Sequence, residues 1–518
     1  MPEAEQVSLR AERKWNIKFH FRFFVDQSPT PILGRPDCVL QHGIRTSKYS
    51  VLPHEKVSSV SRRVFVVLCS PPGFENVFLL FNQASIHVTV DFETIWQDRV
   101  QIQEMQSRRL VELLQTIVPR NRFWTSKFKA ADVDVASIKT LDDLQKLPLT
   151  NKQEIVESQT EQPPYGANLT FPSTRYRRLH QTSGTTGRPI RWMDTQESWD
   201  WFMECWRQIY TLAGLQSWDR LFFPFSFGPF IGFWAAFEGA GRFGNFCIAG
   251  GGMSTSVRLQ CMIENEATVV CCTPTYAMRM AEVAAQEGID LKETSVRMLV
   301  VAGEPGGAIP ATRARIEEAW EARVIDHWGM TEIGSLGVES EDRPGGLYLL
   351  ETECIAEILN PETLTPVASG EVGELVITNL GRVGSPLIRY RTRDLVKAST
   401  TPDPFGRQLT WLEGGIIGRS DDMVIVRGNN VFPSSIEAVI REIPEVAEFR
   451  IELKTVRAMQ ELCVAVEPCA EVAEQSVQLI ETVKAALRQR LGFAIDVRGV
   501  APGELPRFEL KSRRIVRE

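Results

Sequence analysis

Apolar residues recur at helical spacing in RRLVELLQTIV, where Leu110, Leu113, Leu114, Ile117 and Val118 share one face. That period predicts an amphipathic helix. The stretch TLDDLQKLPLTNKQEIVES continues with helical pieces, and Thr150 is the expected N-cap of the second. Further on, ATVVCCT, VRMLVVAGEP and ARVIDHWGM are apolar runs of strand length. Between them, TYAMRMAEVAAQEG (275–288) and PATRARIEEAWE (310–321) carry helical periodicity. Such alternation predicts a parallel or mixed sheet flanked by helices.

The pattern differs at both ends of the chain. Over residues 1–91 no sustained helical period emerges, and β-like runs such as VFVVLC and VFLLF are broken by SPPGFEN. His20, His42, His54 and His87, four of the six histidines, fall here. This segment reads as a small added domain, a loosely ordered extension or sequence upstream of a true start, and a poorly integrated extension with no assigned role is the reading preferred. From about residue 419 a compact unit of 419–518 is expected, leaving 92–418 as the main domain. MVIVRG (423–428), EFRIEL and LCVAVEP read as its strands, and Ser434 with Glu437 has the spacing of a capping box. SVQLIETVKAALRQRL places Ile480, Val483, Leu487 and Leu491 on one helical face.

Composition narrows the class. At 518 residues, 43% hydrophobic and 24% charged, the chain is an ordinary globular sequence long enough for several cores. A net charge of −7 argues against a general nucleic-acid binder. The ten cysteines form no Cys-x-x-Cys pair, and the adjacent Cys271 and Cys272 read as core thiols. Neither a disulfide framework nor a zinc site is indicated. The opening MPEAEQVSLRAERK lacks the apolar core of a signal peptide, and no apolar run approaches a membrane span. A cytoplasmic protein without a membrane partner is expected.

The candidate chemistry starts at HQTSGTTGRPI (180–190), a surface loop or a phosphate cradle. Glycines let backbone N–H groups turn inward and the hydroxyls add donors. It is not a Walker loop, because only Thr185 and Thr186 separate Gly184 from Gly187, and Arg-Pro follows. Pro189 and IRWMD predict strand–loop–strand instead. AGEPGG (302–307) and DHWGMTE (326–332) each follow an apolar strand, where ligands collect in open α/β sheets. In the latter, Trp328 is a candidate cover for a base, Thr331 a phosphate donor and Glu332 a Mg²⁺ ligand. In RYRTRDL (389–395), Asp394 is either a ribose-hydroxyl acceptor or a partner of Arg391 or Arg393. GRSDDMVIVRGNN (418–430) sits at the expected domain boundary, and LPRFELKSRR carries a tail lysine, Lys511.

Taken in order, these motifs resemble the adenylate-forming enzymes: acyl-CoA synthetases, peptide-synthetase adenylation domains and luciferases. In particular they resemble the phenylacetate–CoA ligase family. The likeness spans about residues 92–518. It is carried by His180 ahead of TSGTTG, PPYG at 163–166, GEP at 303–305 and GRSDDMVIVRGNNVFPSSIE at 418–437.

The resemblance implies an α/β fold: a large N-terminal adenylate-forming domain of mixed sheets flanked by helices, plus a small mobile C-terminal α/β domain. It implies that ATP, Mg²⁺ and coenzyme A serve two half-reactions on a carboxylic acid. Thr182, Ser183, Gly184, Thr185, Thr186 and Gly187 would wrap the β- and γ-phosphates, with Arg188 supplying charge where many relatives carry lysine. Ala302, Gly303, Glu304 and Pro305, with Asp326, His327, Trp328 and Gly329, would form the adenine slot. Thr331 would touch the α-phosphate and Glu332 would hold Mg²⁺. Asp394, helped by Arg419, would take the ribose hydroxyls. Asp421 matches the hinge, Lys511 the catalytic lysine of adenylation, and Arg427 and Gly428 the thiol tunnel. Leu510 stands where a glycine often precedes that lysine.

Tyr165 matches a residue of the family's aryl pocket. FSFGPFIGFW, with Phe227, Gly228, Phe230 and Phe233, suits a flat apolar acid. Transfer to a carrier-protein pantetheine or an amine, and an inactive nucleotide-binding regulator, are the alternatives left open. So is a homodimer.

Overall fold

The computed structural model describes five strands before residue 91, then residues 92–182, 189–426, 429–456, 459–508 and 512–517. The chain divides into two units, Met1–Ile95 and Trp96–Glu518. In the first, β1 (Gln6–Arg10), β2 (Lys18–Val25), β3 (Val64–Cys69), β4 (Val77–Asn82) and β5 (Ser85–Val88) pair in sequence order as an antiparallel sheet. The runs VFVVLC and VFLLF, rich in β-branched and aromatic residues, supply its β3 and β4.

The second unit opens with the helix Arg99–Ile117, whose N-cap Asp98 accepts from the Val100 and Gln101 amides. Its apolar stripe of Leu110, Leu113, Leu114 and Ile117 is buried, as the periodicity required. The next long helix, Lys152–Glu161, is capped by Asn151 rather than Thr150, with Glu154 completing a capping box. Thr150 is unavailable as a cap. Its amide donates to the Arg389 carbonyl at 2.9 Å and its carbonyl accepts from Arg391 at 2.8 Å, so it is held as a strand residue.

A hairpin follows, β6 (Tyr176–Gln181) and β7 (Arg191–Thr195), as the strand–loop–strand pattern predicted. The main sheet then takes shape from β8 (Arg220–Phe223), β9 (Phe246–Ala249), β10 (Val269–Cys272), β11 (Met298–Ala302), β12 (Arg323–Met330), β13 (Gly334–Ser340) and β14 (Arg343–Leu349). Four more strands follow: β15 (Cys354–Leu359), β16 (Val372–Asn379), β17 (Tyr390–Lys397) and β18 (Trp411–Glu413). The order β18-β14-β13-β12-β11-β10-β8-β9 is parallel from β12 to β9 and antiparallel from β12 to β18. The helices Pro274–Gln286 and Pro310–Trp320 lie between the parallel strands in the chain, which gives the mixed sheet its crossovers. Cys271 and Cys272 are buried free thiols of β10. A four-stranded sheet of order β15-β16-β17-β19 ends in the short β19 (Gly418–Arg419).

Beyond Arg419 lies the small α/β domain. It contains β20 (Val424–Val426), β21 (Asn429–Val431) and a sheet of β22 (Val446–Val456), β23 (Met459–Pro468), β24 (Asp496–Gly499) and β25 (Ile515–Arg517) in the order β24-β23-β22-β25. Val439, Ile440, Phe449, Ile451, Val464, Val483 and Leu487 are part of a separate core. The expected capping box at Ser434 does not form. The helix Pro433–Arg441 starts from Phe432 with Pro433 in its first turn, and proline's fixed φ and missing N–H favour that start. Ser434 Oγ reaches the Ile417 carbonyl instead, 3.3 Å away. Among the described residues, no helix is long and apolar enough to cross a membrane.

Candidate active site

Thr182 closes the base of the HQTSGTTGRPI loop: its amide donates to the Ile190 carbonyl and its Oγ1 accepts from the Ile190 amide, each at 3.0 Å. Ser183, Gly184, Thr185, Thr186, Gly187 and Arg188 lie outside the described residues. His180, just before the loop, is buried and stacks on Trp199 with ring centres 5.3 Å apart. Its Nδ1 stands 3.8 Å from Asp194 Oδ2 on the returning strand.

Asp194 is one end of a buried ion pair that sequence reasoning missed. Arg382, wholly buried, donates to both of its carboxylate oxygens. The same guanidinium donates through Nη1 to the carbonyls of Thr331, at 2.6 Å, and Glu332, at 2.9 Å. Burial alone would raise the Asp194 carboxyl, but Arg382 and His180 hold it below the usual carboxylate range. The only signal in the sequence was a lone arginine in NLGRVG. Glu332 is 4% exposed, and Lys152 Nζ, also not singled out from sequence, stands 3.5 Å from its Oε1.

AGEPGG leaves the end of β11, whereas DHWGMTE, expected after a strand, lies within β12 as far as Met330, because its backbone stays paired to β11 and then β13. Ala302 is opposite His327 and Val301 opposite Asp326. Gly303 turns at φ +96°, and Pro305–Gly307 forms a 3₁₀ turn. A Cβ at Gly307 would lie 2.3 Å from Asp326 Oδ1, so only glycine lets the turn settle over that carboxyl. Burial, reinforced by Glu339 and opposed by Arg313, pushes Asp326 up to about 7. Burial lowers His327 to about 4, so the ring is neutral, with Nδ1 2.7 Å from the Gly337 carbonyl. At Gly329 the β12–β13 register slips, and a Cβ there would meet the Gly334 carbonyl oxygen at 2.7 Å.

Trp328 and Asp394 meet directly: the indole N–H donates to Asp394 Oδ2 at 2.9 Å. Arg419 Nη1 reaches Asp394 Oδ1 at 3.0 Å, and its Nε and Nη2 each reach Asp421 at 3.0 Å. Burial lifts Asp394 to about 6 despite Arg419 and the indole. The alternative pairing with Arg391 or Arg393 does not occur, because Glu374 takes both at 2.6 and 3.8 Å.

Glu304, expected in the adenine slot, sends its carboxylate elsewhere. Oε1 accepts from the Thr275 amide and Oε2 from the Ser512 amide, each at 2.8 Å. Ser512 follows Lys511, which lies outside the described residues together with Arg427 and Gly428.

Tyr165 lines a shallow hollow with Ile155, Ser158, Arg191, Trp192 and Met193, and none of Phe227, Gly228 and Phe230 lines it. Phe227 instead packs among Phe225, Trp234 and Phe237, with ring centres 4.7, 4.7 and 5.2 Å away. The Trp234 indole donates to the Gly228 carbonyl, and the Gln181 amide donates to Pro229, tying this loop to the foot of the TSGTTG hairpin. Phe230 is 46% exposed, and the Phe233 side chain lies outside the described residues.

Known proteins fit this arrangement. The AMP-binding enzyme model matches residues 129–381, and the AMP-binding enzyme C-terminal domain model matches 428–518. Those matches, together with the relatives that follow, define an AMP-forming acid–thiol ligase. Phenylacetate-coenzyme A ligases from Thermus thermophilus and Escherichia coli are each 30% identical, over 79% and 80% of this chain and 95% and 94% of theirs. That of Pseudomonas putida is 31% identical over 72% of this chain and 84% of its own. The chain belongs to the phenylacetate–CoA ligase family of AMP-binding enzymes. Among solved structures, 2-hydroxyisobutyryl-CoA ligase in the postadenylation state with 2-HIB-AMP superposes with a TM-score of 0.77, at 27% identity over 81% of this chain and 90% of that one. In the thioesterification state with 2-HIB-AMP and CoA, the TM-score is 0.62 at 28% identity and the same coverage.

Proposed function

We propose that this enzyme activates an aromatic, phenylacetate-like acid and transfers it to coenzyme A. The observation that carries the aromatic preference is the ring cluster around Phe227, tied through Pro229 to Gln181 at the foot of the phosphate loop. A flat apolar acid held there would present its carboxylate beside the nucleotide phosphates.

In the first half-reaction a carboxylate oxygen attacks the α-phosphorus of ATP, the bond to the β-phosphate oxygen breaks and pyrophosphate leaves. In the second, the thiol sulfur attacks the acyl carbon, AMP leaves and the thiol gives up its proton. A carboxylate is a weak nucleophile, so alignment and charge neutralisation carry the first step. Residues 182–188 are assigned to the phosphates, Thr331 to the α-phosphate and Lys511 to the attacking carboxylate and α-phosphate. Asp394, steadied by Trp328 and Arg419, is assigned to the ribose, and the backbone of 302–305 with 326–329 to adenine. Asp421 is the hinge, and the strand through Arg427 and Gly428 lines the thiol's path.

Glu332 suits Mg²⁺: it is a single buried carboxylate, as expected of an ion that takes most other ligands from water and phosphate. Bound there, Mg²⁺ would neutralise phosphate charge. The better match to the postadenylation state, 0.77 against 0.62, supports an adenylation-side pose of the small domain.

The test is acid-dependent ATP–pyrophosphate exchange over a panel of aryl and alkyl acids, followed by AMP release with free coenzyme A. Aryl acids are expected to lead. Preference for alkyl acids would overturn the aromatic reading. AMP release only with a phosphopantetheinylated carrier would overturn coenzyme A as acceptor.

A further inference from the structure

We infer that Glu304 is a positioning residue for the adenylation half-reaction, a clamp that holds the peptide next to Lys511 against the large domain. The inference rests on the assignment of Lys511 to adenylation, and deepens it.

The carboxylate spans two domains. Oε1 accepts from the Thr275 amide, in the first turn of the large-domain helix Pro274–Gln286. Oε2 accepts from the Ser512 amide, in the small-domain tail. An ionised carboxylate accepting N–H bonds makes stronger contacts than a neutral acceptor. Two residues beyond Ser512, Arg514 is locked into the small domain by Glu448, at 2.7 and 2.9 Å, while its Nη1 reaches Thr275 Oγ1 at 3.2 Å. The tail continues as β25, parallel to β22. It is therefore fixed to its own sheet on one side and to the GEP turn on the other.

Other contacts also join the domains: Arg315 donates to the Ile443 carbonyl at 2.6 Å, and Arg507 lies 3.4 Å from Glu282. Those fix the small domain as a body. Glu304 alone among these grips the amide of the residue that follows Lys511. A lysine on a flexible four-carbon stem acts at a defined phosphorus only if its backbone is held, because catalytic geometry tolerates little error. When the small domain turns to its second pose, Ser512 leaves with it. The clamp thus serves one half-reaction and not the other.

Glu304→Gln keeps the shape but removes the charge, and puts an NH₂ group where one N–H needs an acceptor. Acid-dependent ATP–pyrophosphate exchange at saturating ATP is expected to fall by about tenfold, the scale of one lost charge-assisted hydrogen bond. Thioester formation from supplied acyl-adenylate and coenzyme A should stay within about twofold, because the Ser512 contact is absent from that pose and the amide oxygen of the variant still accepts from the Thr275 amide. Equal loss in both steps would assign the carboxylate to the nucleotide slot or to folding, and overturn the clamp. Unchanged exchange would overturn it as well. Lys511→Ala run in parallel separates the two ideas. If it splits the half-reactions and Glu304→Gln does not, only the clamp fails. If Lys511→Ala does not split them, the underlying assignment fails.

Discussion

Arg382 donates from Nε and Nη2 to the two oxygens of Asp194, at 2.7 and 2.8 Å, with neither side chain exposed. Because Nη1 also holds the Thr331 and Glu332 carbonyls, one buried cation fastens the strand after the phosphate loop to the turn that carries two candidate catalytic residues. Breaking such a pair from one side leaves an uncompensated buried charge. Arg382→Met is therefore expected to cost about 3–5 kcal/mol in denaturant unfolding. The double variant Arg382→Met/Asp194→Leu should recover part of that stability but not the exchange activity, since the Thr331–Glu332 turn stays unfastened. A single variant as stable as the parent would refute the pairing's importance.

Asp394 is raised to about 6 by burial, with Asp421 adding to the rise and Arg419 and the Trp328 indole opposing it. Above that pH it is an ionised acceptor for ribose hydroxyls, and below it the protonated form loses acceptor capacity. The KM for ATP is expected to rise as pH falls through about 6, and Asp394→Asn should show a higher KM with that dependence flattened. Steady-state kinetics from pH 5 to 8 check this, and an unchanged slope in the variant would count against it.

Asp326, raised from 3.8 to about 7 by burial and by Glu339, makes a stability prediction. The folded state binds more protons than the unfolded state between these values, so this group's stabilisation is fully present below about pH 4 and lost as pH rises through 7. Each pH unit inside that window is worth up to about 1.4 kcal/mol. Asp326→Asn cannot ionise. It should therefore gain stability over the parent at pH 8 compared with pH 4, measured as unfolding midpoints in urea.

Residues 1–91 lie within the unit Met1–Ile95, while every site residue described above lies in Trp96–Glu518. Deleting 1–91 is expected to leave acid-dependent exchange unchanged within about twofold, because every site residue described above belongs to the other unit. A purified, folded truncation without exchange would overturn the reading of this segment as an extension.

Sequence alone determined the alternating strands and helices, because the periods of 2 and 3.6 are local properties of the chain. It also pointed to the glycine-bearing turn after β11, where a side chain at Gly307 has no room, but it placed DHWGMTE after a strand whose pairing in fact runs on through Met330. Only the tertiary structure decided which charges meet. Arg382 and Asp194 are 188 residues apart, and Glu304 and Ser512 are 208 apart. Nothing in either local segment announces its partner. Thr150 shows the same limit at short range: its composition suits a cap, but pairing with the strand near Tyr390 claims its backbone and moves the cap to Asn151. Local chemistry selects what each segment can do, and the topology that brings distant segments together selects which of those options is used.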